Sequence, residues 1–399
     1  MFFFTNIFII SITYRRIKLI KKLFLYIAVL FSSMLVCLPV SAYEFPPYMG
    51  LSLKIEGKVT ETYSNNLTFA SDKENRVEDF MTMLKLDMDA KYEGKRRTFG
   101  LGGQLSRRIK TESNDVRNSS EQFFLNFIND FSEYDSLNIN NAYSHTQLPG
   151  SFEEEFGRIT GRFDSYNNRL NFNYNKFFSK YINASTGYAY TENWNEKEGA
   201  KDSHRNDLDF RVNYEHSDMT QFTYLYTYSD SRFEDGGNIS TNSINVGIRQ
   251  YLTKRILFNG LAGMVFTSYS DTNSFEGAIL GEIDEKTSAD LSYSNTVDLS
   301  SETENIFSSW RITGKLKRML VEKLIMSLSG FYGEGDYDPR GISDTLEGGS
   351  ALLNYNFWKN KRGSRVNGTL GYSYSELDSN DDSRDYDRNT INASLTAIF

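Results

Sequence analysis

NTINASLTAIF, residues 389–399, ends the chain and reads as two interleaved series. Ile391, Ala393, Leu395, Ala397 and Phe399 take every second position, with Thr390, Asn392, Ser394 and Thr396 between them; only Ile398 interrupts the polar set. Successive side chains of a β-strand point to opposite faces, so a period of two gives the segment one apolar and one mostly polar face. Such a strand meets an apolar medium on one side and water on the other.

The same rule repeats upstream. Apolar residues recur at every second position over 51–59, 80–92, 99–105, 123–127, 137–143, 170–174, 182–190, 208–214, 222–228 and 244–248. They do so again over 256–266, 275–279, 289–297, 306–316, 324–332, 351–357, 366–374 and 391–399. The pattern predicts about eighteen antiparallel strands, within a range of roughly 16–20, and an even number if both ends of the chain lie on one side of a membrane. Connections alternate in length, as they do in membrane barrels. Short ones lie near 93–97, 132–136, 177–181, 215–219, 252–255, 281–286, 317–323 and 358–363, and many carry Lys or Arg. Longer polar segments such as KTESNDVRNSS, GEGDYDPRGISD and ELDSNDDSRDYDR lie between them and are mostly acidic. The connections at 268–274 and 300–305 are compact, and FEEEFGRITGRF (152–163) sits in a loop that could fold inward as a constriction.

The front of the chain differs. Arg15, Arg16, Lys18, Lys21 and Lys22 precede the apolar run LFLYIAVLFSSMLVCL, and Val40 and Ala42 supply small-residue cleavage positions. Residues 1–42 read as a secretory signal, leaving 43–399 as the mature chain. The only cysteine, Cys37, falls inside that signal, so neither disulfides nor thiolate metal sites are expected downstream. Aromatics make up 15% of the chain, yet they alternate with Asn, Ser, Thr, Asp and Arg instead of clustering in long apolar runs. Of the five prolines only Pro149 and Pro339 lie beyond the first mature residues, which suits uninterrupted ladder hydrogen bonding. A net charge of -8 argues against nucleic acid as a partner.

An open sheet with one greasy face would expose that face and two unpaired edges. A soluble sandwich usually holds 7 to 9 strands in roughly 100 residues, and no linker divides this chain into such units. The expected fold is therefore all-β: a transmembrane antiparallel up-and-down barrel in the outer membrane of a Gram-negative cell, contacting lipid and lipopolysaccharide. The strand Ile391, Ala393, Leu395, Ala397, Phe399 then becomes the segment presented to the barrel-assembly machinery. The opposite face carries Asn171, Asn173 and Asn175; Asp207, Asp209, Arg211, Asn213 and Glu215; Asp290, Ser292, Ser294, Thr296 and Asp298; and Asn367 and Thr369. Such groups cost several kcal/mol each if buried dry and unpaired. Eighteen strands about 4.8 Å apart and tilted near 40° enclose a cylinder on the order of 35 Å across, too wide for side chains to fill. The expectation is a water-filled pore lined by these residues.

Catalytic signals are sparse. His145 and His204 fall in expected outer loops and His216 in an expected short turn; no GxSxG occurs, and neither catalysis nor a cofactor is expected. The acidic DSNDDSRDYD (378–387) lacks the Gly and final Glu of an EF-hand loop and reads as solvated. Arg107, Arg108 and Lys110, near an outer strand end, could attract anionic solute or pair with acidic loops. Finally, YSNNLTFA (63–70) followed by EDFMTMLKLDM (78–88) resembles the opening hairpin of the type 2 family of bacterial β-barrel porins associated with exopolysaccharide and capsule export, with Asn65, Asn66, Asp79, Phe80 and Leu84 matching. Lys85-Leu86-Asp87 stands where members commonly have Pro-Gly after the second-strand Leu. The resemblance implies an outer-membrane pore, a polysaccharide as its cargo and polysaccharide-export proteins as partners. Two other readings stay open: a surface-display barrel that conducts nothing, and a barrel enzyme acting on lipid or envelope polymer.

Overall fold

The computed structural model describes residues 50–66, 76, 78–110, 118–146, 164–196, 202–234, 237–267, 271–299, 306–338, 341–360 and 363–399. Among them are eighteen strands: β1 (Leu51–Ser64), β2 (Asp79–Glu93), β3 (Arg97–Lys110), β4 (Asn118–Asp130), β5 (Asp135–Thr146), β6 (Ser165–Phe177), β7 (Ile182–Asn195), β8 (Ser203–Ser217) and β9 (Thr220–Phe233). Then come β10 (Asn238–Thr253), β11 (Ile256–Thr267), β12 (Asp271–Asp284), β13 (Thr287–Leu299), β14 (Ile306–Val321), β15 (Leu324–Asp338), β16 (Ile342–Lys359), β17 (Arg365–Ser379) and β18 (Tyr386–Ile398). Each predicted alternating stretch lies in one of them, in order, save that 391–399 runs one residue past β18, and no strand contains a proline. Residues 152–163, in the loop expected to fold inward as a constriction, lie outside the described residues.

Every strand is antiparallel to its predecessor, and β18 returns to β1 over Glu56↔Ile398 through Ser64↔Thr390. The sheet is closed. Phe399 extends the seam one residue further, because its N–H donates to Ile55 O (2.9 Å) while Ile55 N–H donates to Phe399 O (3.1 Å). The terminal residue thus finishes a ladder that would otherwise leave Ile55 unpaired.

At the end of the barrel holding Leu51 and Phe399 the connections are tighter than expected. Only Asp218 and Met219, Lys254 and Arg255, Glu285 and Lys286, and Glu322 and Lys323 separate their strands. Side chains close these turns: Thr253 Oγ1 accepts from the N–H of Arg255 and Ile256 (3.2 and 3.1 Å), and Asp284 Oδ1 accepts from Lys286 N–H (2.7 Å). Register shifts at Glu215/Ser217, Tyr251/Thr253, Glu282/Asp284, Met319/Val321 and Asn356/Trp358 all fall beside this rim, where an extra residue bends and twists the strand.

The opposite rim departs from expectation in the other direction. Among the described residues, more than half of the segments read as the longer loops 333–344 and 376–388 is strand, because β15, β16, β17 and β18 run on into them. Outside the apolar band the outward positions turn polar, so the alternation fades while the hydrogen-bond ladder continues.

On the convex face the apolar series stands exposed, as at Leu101, Val246, Leu291 and Leu370, in agreement with a surface made for lipid. Deleting Phe399 removes two seam hydrogen bonds and a ring from that face. The expected outcome is a loss of about 2 kcal/mol, counting roughly 1 kcal/mol for each bond, read as a lower urea midpoint for the folded, heat-modifiable band on a gel.

Candidate channel lumen

Strand parity and pairing together fix which side chains share the concave wall. Paired residues lie on the same face, so the row Asn126–Asn140–Asn171–Ala189–Asp207–Ser229 crosses six adjacent strands, β4 to β9, on one side. The next row toward the termini holds Asn138, Asn173, Gly187, Asp209 and Thr227, and the one after it Ser136, Asn175, Ser185 and Arg211. Six of the predicted lining residues therefore form one continuous patch. Asn213 lies a further row down, bonded to Asn183 Oδ1 (2.8 Å) and accepting from Thr223 (2.8 Å).

Charge on this patch is organised around Asp207. Its carboxylate takes Arg205 (2.6 Å), Ser229 (2.6 Å) and, reaching across β7, Arg169 (3.3 Å); Arg169 also donates to Asn171 (2.9 Å) and Thr191 (3.3 Å). A bond from β6 to β8 needs a small residue beneath it, and Ala189 fills that role. The same device recurs where Ser274 on β12 donates to Asn245 on β10 (2.7 Å) over Gly263 of β11. A Cβ at Gly263 would collide with Ile244 O and the Asn245 side chain, so the close approach requires glycine there.

The remaining predicted residues line other parts of the wall. Asp290 stands opposite Lys315, Ser292 opposite Thr313, and Ser294 opposite Arg311, between β13 and β14. Asn367 lies between Asn356 and Thr396, and Thr369 accepts from Asn354 Nδ2 (3.0 Å). Asp298 is in β13, with its side chain outside the described set. Of the candidate basic patch, Arg108 shares the concave parity, Arg107 points outward and the Lys110 side chain is not described.

Three expectations need correction. The histidines sit in strands: His145 in β5, and His204 and His216 in β8. All three have outward parity, and His145 stacks on Tyr166 (4.4 Å between centroids) while bonding Asp164 (3.0 Å). The acidic segment 378–387 is strand at its two ends only, with 380–385 forming a turn around a short 3-10 helix, Asp382–Arg384, and Asp381 and Asp385 spend their carboxylates on Ser383 and on Ser379 N–H. Third, the concave face is not polar throughout. Phe307, Tyr337, Leu346, Leu377 and Tyr386 form a buried cluster on β14–β18, with Phe331 and Ile342 against it. The sequence signal was weak, since these residues share a parity with Ser309, Ser350 and Ser375.

Over this cluster Arg384 lies 4.6 Å from the Tyr337 ring centroid and pairs with the fully buried Asp344. Burial alone would lower the Arg384 pKa, but the hydrogen bond and charge of Asp344, aided by Tyr337, hold it above its ordinary value. Asn380 adds bonds to Gly341 O (2.8 Å) and from Ser343 N–H (3.0 Å), so the β17–β18 turn is tied down. Beside it the seam closes through the two asparagines of the SNN motif. Asn65 Oδ1 accepts from Asn389 N–H (2.7 Å), and the buried Asn66 donates to Asp387 O (3.1 Å).

The chain is similar in structure to the Acinetobacter baumannii outer-membrane protein OccAB4 (TM-score 0.51, 10% identity, covering 89% of this chain and 100% of that one). It is also similar to Pseudomonas aeruginosa OpdK with vanillate (0.50, 12%, covering 87% and 99%). The fold is that of an outer-membrane β-barrel. No known family's sequence profile matches the chain, and no curated protein matches it in sequence.

Removing one partner of a buried ion pair leaves an uncompensated charge at a cost of about 3–5 kcal/mol. Arg384→Ala is therefore expected to release residues 380–385, read as accelerated backbone hydrogen exchange there while the β5–β8 strands stay protected.

Proposed function

We propose that the chain is a channel of the outer membrane that passes polar solutes by diffusion through a hydrated lumen, without covalent chemistry. The observation that carries this reading is the concave wall of β4 to β9, where amides, hydroxyls and mutually paired charges run from one rim toward the other while the convex face is apolar. Pores select by the groups lining them, and a wall of this kind admits hydrated solutes. Residues 1–42 as an export signal, the barrel-assembly machinery acting on the last strand and lipopolysaccharide around the convex face belong to the same proposal. Its finer form takes a secreted polysaccharide as cargo and polysaccharide-export proteins as partners, supported by the likeness of the 63–88 hairpin.

Purified protein in planar bilayers should give stable single-channel steps; a folded but silent barrel would overturn the channel and favour surface display. Selectivity offers a sharper check. Asp207→Asn strips the anion from between Arg169 and Arg205, so the cation-to-anion permeability ratio should fall by roughly twofold, measured as a reversal potential in a salt gradient.

A further inference from the structure

Most large aromatic side chains of concave parity are buried or partly covered, and Phe307, Tyr337 and Tyr386 pack into the dry cluster. Phe124 differs. It lies midway along β4, is 42% exposed, and shares its row with Asp89, Gly102, Ala142 and Arg169. Its concave placement is confirmed by Gly102, since a Cβ there would meet both the tip of the Phe124 ring and the Asp89 carboxylate. With glycine on one side and alanine on the other, the ring leans over Gly102 beside the Asp89 carboxylate and keeps the rest of its surface open.

Directly beneath it runs the row Asn126–Asn140–Asn171, followed by Asn138 and Asn173. An amide offers two donors and two acceptor lone pairs, the combination that matches hydroxyls, which also donate and accept. Asn140 spends one N–H on Asn138 (3.1 Å), and Asn171 Oδ1 takes the Arg169 Nε–H. Arg169 shares the Asp207 carboxylate with Arg205, and Asp89 adds a carboxylate to the row of Phe124, so the patch carries both signs without a large net excess of either.

We propose that Phe124 and the asparagine row below it form a stacking subsite for a neutral pyranose ring, so that the channel's ligand class includes uncharged oligosaccharides. A sugar ring has an apolar C–H face and an equatorial belt of hydroxyls. The aromatic face takes the first and the amides the second. This rests on the concave wall being open to solvent, as in the channel reading, but binding can be measured without conduction.

Two neutral probes, maltohexaose and laminarihexaose, are titrated separately into the detergent-solubilised barrel by calorimetry and then added to planar bilayers containing it. At least one should bind saturably and block current with matching concentration dependence. Phe124→Ala should weaken that binding about tenfold, whereas Phe124→Trp should retain it. Absence of binding by both probes, binding indifferent to Phe124→Ala, or binding of an anionic oligogalacturonate alone would overturn the subsite. Saturable binding lost in Phe124→Ala without any current steps would uphold the subsite and overturn the channel.

Discussion

Hydrocarbon offers no hydrogen bonds, so each unpaired backbone N–H or C=O left in it costs several kcal/mol, and a sheet persists there only if its two edges meet. In this chain the edges are β1 and β18, far apart in sequence and joined over nine residue pairs, from Glu56↔Ile398 to Ser64↔Thr390. Closure is then extended at both ends by different chemistry. Phe399 continues it with backbone groups at the rim of the short turns, whereas at the other rim the Asn65 backbone N–H is joined by the side-chain amides of Asn65 and Asn66. The rest of the structure depends on that seam, because two free edges in lipid would leave the other pairings without a stable end state.

Once the sheet is closed, side-chain alternation becomes a division between two solvents. The convex positions need only be apolar, which explains why Leu, Tyr, Phe, Ile and Val interchange freely there. The concave positions face a harder problem, since polar groups must either be wetted or satisfy one another. Asp207 shows the second solution, gathering Arg169, Arg205 and Ser229 into a network that spans four strands, β6 to β9. Small residues are part of that solution. Ala189 and Gly263 leave room for bonds that skip over a strand, and a larger side chain at Gly263 would strike the neighbouring backbone.

The strand number and order were legible because lipid enforces a strict period of two, and even a short run such as 244–248 locates its strand. Strand ends were not legible for the same reason. Where β8 and β5 rise past the apolar band, His204, Asn206 and His145 occupy outward positions that lipid no longer dictates, and a polar residue there reads as loop. At the other rim, hydroxyls and carboxylates such as Thr253 and Asp284 close turns of two residues, a feature visible in composition only as general polarity. The inward apolar cluster was hidden because its members are scattered singly over five strands. Phe307 meets Tyr337, and Leu346 meets Leu377 and then Tyr386, only when register brings them to common rows.

That cluster also gives the barrel two unlike sides. In a closed ring of eighteen, strands nine positions apart face one another, so β5 to β8 stand across from β14 to β17. The second group is dry at the rim where β17 turns into β18, packed around Phe307 and pinned by the buried Arg384–Asp344 pair. The first is an amide wall, bordered on β4 by the exposed ring of Phe124. A wall stiffened by apolar packing and a desolvated ion pair can hold its position but offers few accessible groups to a passing solute, whereas amides and hydroxyls open to the interior can exchange partners with it at little cost. In the proposed channel, recognition would therefore fall to β4 to β8, and the facing side would keep the mouth at fixed width.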